Sequence, residues 1–87
     1  MGNQRKPKKI DEYAGSYLRH KRNAANITQQ MVADNVGVTF QQIQKVEKGA
    51  NRMSVSGFIM YCRAIGVKPS TAMREIEKIA GENNENV

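Results

Sequence analysis

Apolar residues recur at helical spacing in five separate stretches of the chain, and residues typical of helix ends stand between the stretches. No alternating strand pattern and no internal repeat is visible. The first stretch predicts a helix over about 11–23, which begins with acidic residues at the positive end of its dipole. Ala14, Leu18 and the stem of Arg22 lie four residues apart and therefore share one face. The pattern predicts an all-α chain.

The next two stretches are short and predict two helices joined by a tight turn. Thr28 is a suitable N-cap for the second helix, which is expected to end near Val36 and Gly37, since glycine readily adopts the positive φ of such a turn. Thr39 is the N-cap of the third helix, which is expected to run to about Lys48. On the second helix, Met31, Val32 and Ala33 are predicted to face inward in part, with Val36 below them. On the third helix, the inward pair is Ile43 and Val46.

Two further helices are predicted in the C-terminal third of the chain. The fourth covers about 56–65, and the fifth begins near Pro69, a residue favoured in the first turn, and ends at Gly81. The residues predicted to face inward on the fourth helix are Phe58, Ile59, Cys62 and Ile65. The apolar stripe of the fifth helix comprises Ala72, Met73, Ile76, Ile79 and Ala80.

The length of 87 residues allows one small domain. Residues 1–9 lack hydrophobic periodicity and contain Pro7, which predicts a flexible basic N-terminal arm. This arm either grips a polyanion or is a solvated tail. The helical domain is predicted over 10–81, and a disordered polar tail over 82–87.

The charge is positive and unevenly distributed. Lys and Arg total 14 against 8 Asp and Glu, which gives a net charge of +6. The basic residues crowd the arm and the first helix, whereas the balance beyond Ala64 is slightly acidic. This asymmetry favours a polyanionic partner such as nucleic acid. A basic surface kept for solubility is the alternative, and charge alone does not decide between the two.

The spacing of Ala33, Gly37, Ile43 and Val46 carries functional information. The small side chain of Ala33 lets another helix approach, and Gly37 follows four residues later in the turn. Two apolar residues then anchor the third helix against the second. This spacing holds two helices at a steep angle with the second of them exposed, which is the helix-turn-helix arrangement. Amide and basic side chains on such a helix can read base edges in a DNA groove.

The chain resembles the Cro/phage-repressor-type helix-turn-helix family, also called the XRE family, over about residues 13–67. The string VTFQQIQKVEKGANR at 38–52 is the most specific part of the resemblance. The resemblance implies a five-helix, lambda-repressor-like DNA-binding domain with the helix-turn-helix in helices 2 and 3. It further implies a sequence-specific regulator of transcription that binds double-stranded operator DNA as a homodimer. A repressor on an inverted repeat, with helix 3 in the major groove, is the expected form.

The resemblance places the base-reading residues on the exposed N-terminal half of helix 3. Gln41 could bond both polar groups of an adenine edge, and Lys45 could donate to guanine. Phe40 departs from the polar residue that many family members have there. It either touches a thymine methyl group, or it packs against helix 2 and only shapes the site. The expected base-reading residues are Thr39, Phe40, Gln41, Gln42 and Lys45.

The resemblance also implies contacts to the DNA backbone. Gln29, at the start of helix 2, matches a residue that contacts phosphate and supports helix 3. Arg22 and Glu47 match a structural ion pair that ties helix 3 to helix 1. The other residues expected at the DNA backbone are Arg19, Gln44, Lys48, Asn51 and Arg52.

Helices 4 and 5 often build the homodimer in this family. Met73, Ile76 and Ile79 are therefore expected to supply an apolar face that two copies share. Their alternative role is to complete the core of the monomer. We expect a mixture of the two, with Ile79 facing the partner.

Two other functions remain compatible with the same fold. An antitoxin or restriction-controller protein would bind DNA in the same way, together with a partner protein, and a toxin or nuclease gene next door would identify it. A module that binds RNA or protein is the second. The absence of clustered aromatic residues argues against the reading of single-stranded RNA.

The remaining classes of function have little support. Cys62 is the only cysteine, so an internal disulfide and a cysteine-rich zinc site are excluded, and no metal or cofactor is expected. The sequence contains neither a nucleophile–base pair nor a phosphate-binding glycine loop, so no feature of this kind indicates an enzyme. No apolar run is long enough for a membrane span, no signal peptide is apparent, and no small-molecule effector is evident. A cytoplasmic protein is expected.

Overall fold

The computed structural model describes residues 8–83 of the chain. These residues form five helices and no strand, which confirms the predicted all-α class. The helices are α1 Lys9–Ala24, α2 Gln29–Val36, α3 Phe40–Glu47, α4 Val55–Ala64 and α5 Pro69–Glu82.

The ends of the helical region differ from the prediction. The predicted arm includes Lys8 and Lys9, yet the Lys8 backbone N–H donates to Asp11 Oδ2 at 2.7 Å and Lys8 caps α1, which begins at Lys9. Likewise α5 continues through Glu82, one residue into the predicted tail. The predictions for the rest of the arm, 1–7, and of the tail, 84–87, lie outside the described residues.

Side-chain caps fix the starts of the three helices in the middle of the fold. Thr28 Oγ1 accepts from the Met31 backbone N–H at 3.1 Å, and Ser54 Oγ accepts from Gly57 at 3.0 Å. Thr39 caps α3 in the same way. Gly37 ends α2 with φ of 83°, the left-handed conformation expected of this turn.

The core lies between α1, α2, α4 and α5, with the inner face of α3 laid against it. α2 packs against α3 and α4, while α1 packs against α3 and α5, and α4 also contacts α5. Met31 and Met73 belong to the apolar stripes of α2 and α5, but they are 49% and 54% exposed. The buried hydrophobic residues are Tyr17, Leu18, Val32, Ala33, Ile43, Val46, Phe58, Tyr61, Cys62, Ile65, Ala72, Ile76 and Ala80.

Helices α1 and α3 approach so closely that glycine is required between them. A Cβ atom on Gly15 would lie 2.3 Å from the carbonyl oxygen of Val46 and 2.9 Å from that of Glu47. Just beyond α3, a Cβ atom on Gly49 would lie 2.7 Å from Cα of Glu12, and the φ of Gly49 is +77°. The backbone of α1 therefore sets the position of the last turn of α3.

Cys62 is fully buried in this core, and burial raises the pKa of its thiol to about 11. The thiol is therefore protonated and apolar in character at neutral pH. None of the helices within residues 8–83 is both long and apolar enough to cross a membrane.

Candidate nucleic-acid interface

The inward face of α3 ends in a buried carboxylate that accepts four hydrogen bonds. Glu47 Oε2 accepts from Arg22 Nε at 2.7 Å and from the Tyr61 hydroxyl. Glu47 Oε1 accepts from Arg22 Nη2 and from Gln29 Nε2, each at 2.9 Å. Since these donors come from α1, α2 and α4, the end of α3 is tied to three other helices. We call Glu47 and its donors Arg22, Gln29 and Tyr61 the Glu47 cluster.

The Glu47 cluster holds its carboxylate ionised despite burial. Burial by itself would raise the pKa of Glu47, but hydrogen bonds from Arg22, Tyr61 and Gln29 outweigh it and lower the pKa below its usual value. The hydrogen bond to Glu47 likewise raises the pKa of the Arg22 guanidinium, although burial acts against it. Arg22 also donates from Nη1 to the Ile27 carbonyl at 2.9 Å, so its charge is fully partnered. An ion pair this deep is stable only because every member is satisfied.

The other end of α3 is fixed by a capping box. Thr39 Oγ1 accepts from the Gln42 backbone N–H at 3.1 Å, and Gln42 Oε1 accepts from the Thr39 backbone N–H at 2.9 Å. The Thr39 hydroxyl also lies 3.3 Å from Gln42 Oε1. Both side chains are exposed, but the amide oxygen of Gln42 and the hydroxyl of Thr39 are already occupied within the chain. Each retains less hydrogen-bonding capacity for DNA than the sequence analysis expected.

Between these two ends, α3 presents an outer face of amide and ammonium groups. Gln41 and Lys45 are exposed, and Lys48 is exposed directly after the helix. The side chains of Gln41 and Lys45 make no hydrogen bond or ion pair with any of residues 8–83. They are therefore available to a ligand approaching this face.

An open groove of about 710 Å³ runs beside α3, between the end of α1 and the start of α2. We call it the α1–α3 groove. It brings Phe40 and Gln44 of α3 together with cationic Arg19 and Lys48. Phe40 is 37% exposed, so it can both line this groove and meet a ligand. The other residues lining the groove are Arg22, Asn23, Asn26, Ile27, Thr28, Gln29, Gln30 and Glu47.

Two residues expected at the DNA backbone have partners within the chain, and a third lies away from the α1–α3 groove. Gln29 is half-buried, and one of its two amide N–H groups is used by Glu47. Arg52 Nε donates to Asp11 Oδ2 at 3.3 Å, which ties the loop after α3 to the start of α1. Asn51 lines two smaller grooves on the other sides of α3 and not the α1–α3 groove.

The expected dimer face is corrected at Ile76. This side chain is only 3% exposed, because α5 packs it into the core of the monomer, so it cannot contact a partner. Met73 is exposed, and Ile79 is half-buried against the core. A shallow apolar groove of about 400 Å³ lies beside Met73, with exposed Val55 at its edge.

Sequence reasoning missed Tyr61, Gly15 and the capping role of Gln42. Tyr61 stands on the apolar face of α4, where a buried tyrosine needs a hydrogen-bond partner. Gly15 lies inside a predicted helix, where glycine usually has a packing reason. The spacing Thr39-x-x-Gln42 is itself the signature of a capping box. Each of these signals is present in the sequence, but none identifies the residue that the side chain or backbone contacts.

No group of three or more His, Cys, Asp and Glu side chains comes together within the described residues to hold a metal ion. What this surface can do chemically is donate and accept hydrogen bonds and attract anions.

The chain matches a known protein family over more than half of its length. The helix-turn-helix family model matches residues 18–71, which include α2, α3 and α4. An uncharacterised HTH-type transcriptional regulator of Sinorhizobium fredii is 37% identical over 79 residues, covering 90% of this chain and 55% of the relative. Another from Sinorhizobium medicae is 44% identical over 54 residues, covering 62% of this chain and 39% of the relative. The chain thus spans about half the length of these relatives or less.

Solved structures share the arrangement of the helices. The clp gene regulator ClgR of Corynebacterium glutamicum superposes with a TM-score of 0.79 at 20% identity, over 86% of this chain and 80% of that one. An XRE-family like protein of Pseudomonas syringae gives 0.73 at 28% identity, over 82% and 87%. The restriction-modification controller protein C.AhdI of Aeromonas hydrophila gives 0.70 at 22% identity, over 75% and 98%. At the identities of the first and third, the likeness concerns the fold alone.

Proposed function

Because the chain belongs to the helix-turn-helix family, in its Cro/phage-repressor (XRE) branch, we propose that it is a sequence-specific, double-stranded DNA-binding regulator of transcription. The observation that carries the proposal is the outer face of α3, where Gln41 and Lys45 are exposed and without partners among residues 8–83. The same helix is fixed at both ends, by the capping box and by the Glu47 cluster. A rigid helix with free polar groups outward is what readout in a major groove requires.

In the proposed complex, α3 lies in the major groove with its N-terminal half against the bases. The amide of Gln41 both donates and accepts, which matches the N6 and N7 groups of adenine. The ammonium of Lys45 only donates, which matches O6 and N7 of guanine. The two side chains lie four residues apart on one face of α3 and would read neighbouring base pairs.

The DNA backbone would follow the α1–α3 groove. Arg19 and Lys48 supply positive charge along it, and the second amide N–H of Gln29 is free of the Glu47 cluster. Phosphate contacts of this kind position the protein without carrying sequence information. Asn51 and Arg52 remain proposed backbone contacts only if the loop changes its partners on binding, since Arg52 is bonded to Asp11.

We further propose that two copies bind an inverted repeat and repress transcription by occupying a promoter in the cytoplasm of a bacterial cell. Two α3 helices would then enter successive major grooves about 34 Å apart. Exposed Met73 and Val55, which line an apolar groove, support self-association on the α4–α5 side, and half-buried Ile79 of α5 is proposed to join them. A dimer through this surface would be isologous.

Selection of binding sites from random duplex DNA, repeated at two salt concentrations, tests the proposal. Wild-type protein should enrich one inverted repeat, and its affinity should fall steeply with salt because phosphate contacts release counterions. Gln41→Ala should lose preference at one base pair of each half-site, worth about 1–3 kcal/mol of discrimination. Gln29→Ala should weaken binding to every duplex similarly.

Asn35→Ala is the matched control, because Asn35 is an exposed amide on α2 that bonds the Met31 carbonyl of its own helix. It should bind as wild type does. Enrichment of no sequence at all would reject the proposed function, and an unchanged base preference in Gln41→Ala would reject the role of that residue.

A further inference from the structure

Resting on the proposed function, we infer that Phe40 contacts the C5 methyl group of a pyrimidine in the major groove. The domain would then recognise thymine or 5-methylcytosine at that position and discriminate against uracil and unmodified cytosine. The inference rests on three features at the start of α3. An exposed aromatic ring stands next to an amide that has no partner among residues 8–83. The polar side chains on either side are already hydrogen-bonded to each other.

The exposure of Phe40 distinguishes it from the other large apolar residues of α3. Ile43 and Val46 are buried against the rest of the fold, whereas 37% of the Phe40 surface remains accessible. Phe40 is the first residue of α3 and directly precedes Gln41, the amide proposed to read adenine. An accessible aromatic ring at this position would be desolvated when α3 enters a groove, and desolvation favours an apolar partner.

The residues around Phe40 narrow the chemistry of that partner. Thr39 and Gln42 use their hydroxyl and amide oxygen in the capping box, so the hydrogen bonds available here come mainly from Gln41. The ring itself neither donates nor accepts conventional hydrogen bonds. On the base edges of a major groove, the C5 methyl group is the one apolar feature, and phenylalanine is among the side chains that contact it.

The fold holds this ring in place. Phe40 lines the α1–α3 groove together with Gln44, one turn along α3, and with Gln29 at the start of α2. The part of the ring inside the groove would fix its orientation, and the accessible part would meet the base. The two interpretations left open by the sequence are therefore compatible, since one ring can shape the site and contact a methyl group.

Single-methyl substitutions in the selected duplex test the inference. Each thymine of a half-site is replaced in turn by deoxyuridine, which removes one methyl group and leaves base pairing unchanged. Each cytosine is replaced in turn by 5-methylcytosine, which adds one. For wild-type protein, one position per half-site should respond, by roughly fourfold weaker binding on loss of the methyl or roughly fourfold tighter binding on its gain.

Two variants assign this response to Phe40. Phe40→Ala should bind more weakly and lose the response, so that duplexes with and without the methyl bind equally. Phe40→Leu keeps an apolar side chain and should retain most of the response. Unchanged thermal unfolding of both variants would show that the fold is intact, as expected for a partly exposed side chain.

The outcomes separate this inference from the proposed function. Sequence-specific binding with no methyl-sensitive position, or a methyl response that persists in Phe40→Ala, would overturn the inference and leave the proposed function standing. Failure of wild-type protein to select any duplex would overturn the proposed function first. A response lost in Phe40→Ala and kept in Phe40→Leu would support both.

Discussion

The two faces of α3 differ in how their polar groups are used. On the inward face, the Glu47 side chain is only 2% exposed, and its carboxylate accepts four hydrogen bonds from three other helices. On the outward face, Gln41 and Lys45 are exposed and have no partner among residues 8–83. In this helix of eight residues, the inner polar group holds the helix in place, and the outer polar groups remain available for recognition. The comparison indicates that recognition by so short a helix depends on internal contacts that hold the helix in place and do not themselves touch the ligand.

The largest expected effect comes from breaking the inward face. Glu47→Ala removes the acceptor and leaves the buried Arg22 guanidinium without its charge partner. Loss of one member of a buried ion pair costs about 3–5 kcal/mol, so the free energy of unfolding should fall by that amount in urea titrations. Binding to every duplex should weaken as α3 loosens.

Glu75→Ala is the matched control for this variant. The Glu75 carboxylate also accepts a hydrogen bond from a buried tyrosine, Tyr17, which links α5 to α1. Glu75 is exposed, however, and it forms no ion pair with a cation in the described part of the chain. The free energy of unfolding should change by about 1 kcal/mol or less. A comparable loss in both variants would show that the Glu47 cluster is not special.

Acid should act on the same inward face. The pKa of Glu47 is lowered in the folded protein, so the ionised form stabilises the fold above the usual glutamate pKa of about 4.3. This stabilisation is lost as pH falls from that value through the lowered pKa of the folded state. Urea unfolding between pH 6 and about 2 should therefore show a shallower acid dependence in Glu47→Gln than in wild type. Equal slopes would contradict the assignment.

A smaller effect is expected where α1 holds the inward face in place. Gly15→Ala would put a methyl group 2.3 Å from the Val46 carbonyl oxygen, so the backbones of α1 and α3 must separate. Such overpacking costs about 1–3 kcal/mol, measurable by chemical unfolding, and should reduce affinity for DNA by displacing α3. Gly81→Ala is the control, because nothing lies within 4 Å of a Cβ atom there. It should leave stability unchanged or raise it slightly.

The smallest expected effect on stability comes from the capping box at the start of α3. Gln42→Ala removes one half of the capping box and should lower the free energy of unfolding by about 1 kcal/mol. Gln42→Glu keeps an acceptor oxygen at the helix start and should restore stability. Gln41→Ala should change stability by less than about 0.5 kcal/mol. If Gln42→Ala instead altered base preference at constant stability, Gln42 would belong to the outward face.

The elements that sequence predicted well are those set by local spacing. Thr28, Thr39 and Gly37 fix the ends of α2 and α3 through contacts within a few residues, and the structure places them as expected. The inward positions Ile43 and Val46 follow from helical period in the same way. Period alone does not separate the buried from the exposed members of an apolar stripe, as the exposure of Met31 and Met73 shows.

The features that sequence did not predict depend on distances between helices. Tyr61 and Glu47 are 14 residues apart, and no local rule pairs them. The sequence leaves two roles open for Ile76, in the core or on a partner face, and only the packing of α5 against α1 and α4 shows that the monomer already covers it. The reduced capacity of Gln42 and Gln29 likewise follows from partners that the chain itself supplies.

Because the one cysteine is buried, its reaction with a thiol reagent can report the rate at which the folded molecule opens transiently. An alkylating reagent can reach the Cys62 sulfur only while the core is parted, and a raised pKa slows reaction further. The rate of thiol labelling therefore measures how often the native state opens. A duplex that binds only the closed form would slow that rate, so occupancy could be followed through the protein's own sulfur, without a probe on the DNA.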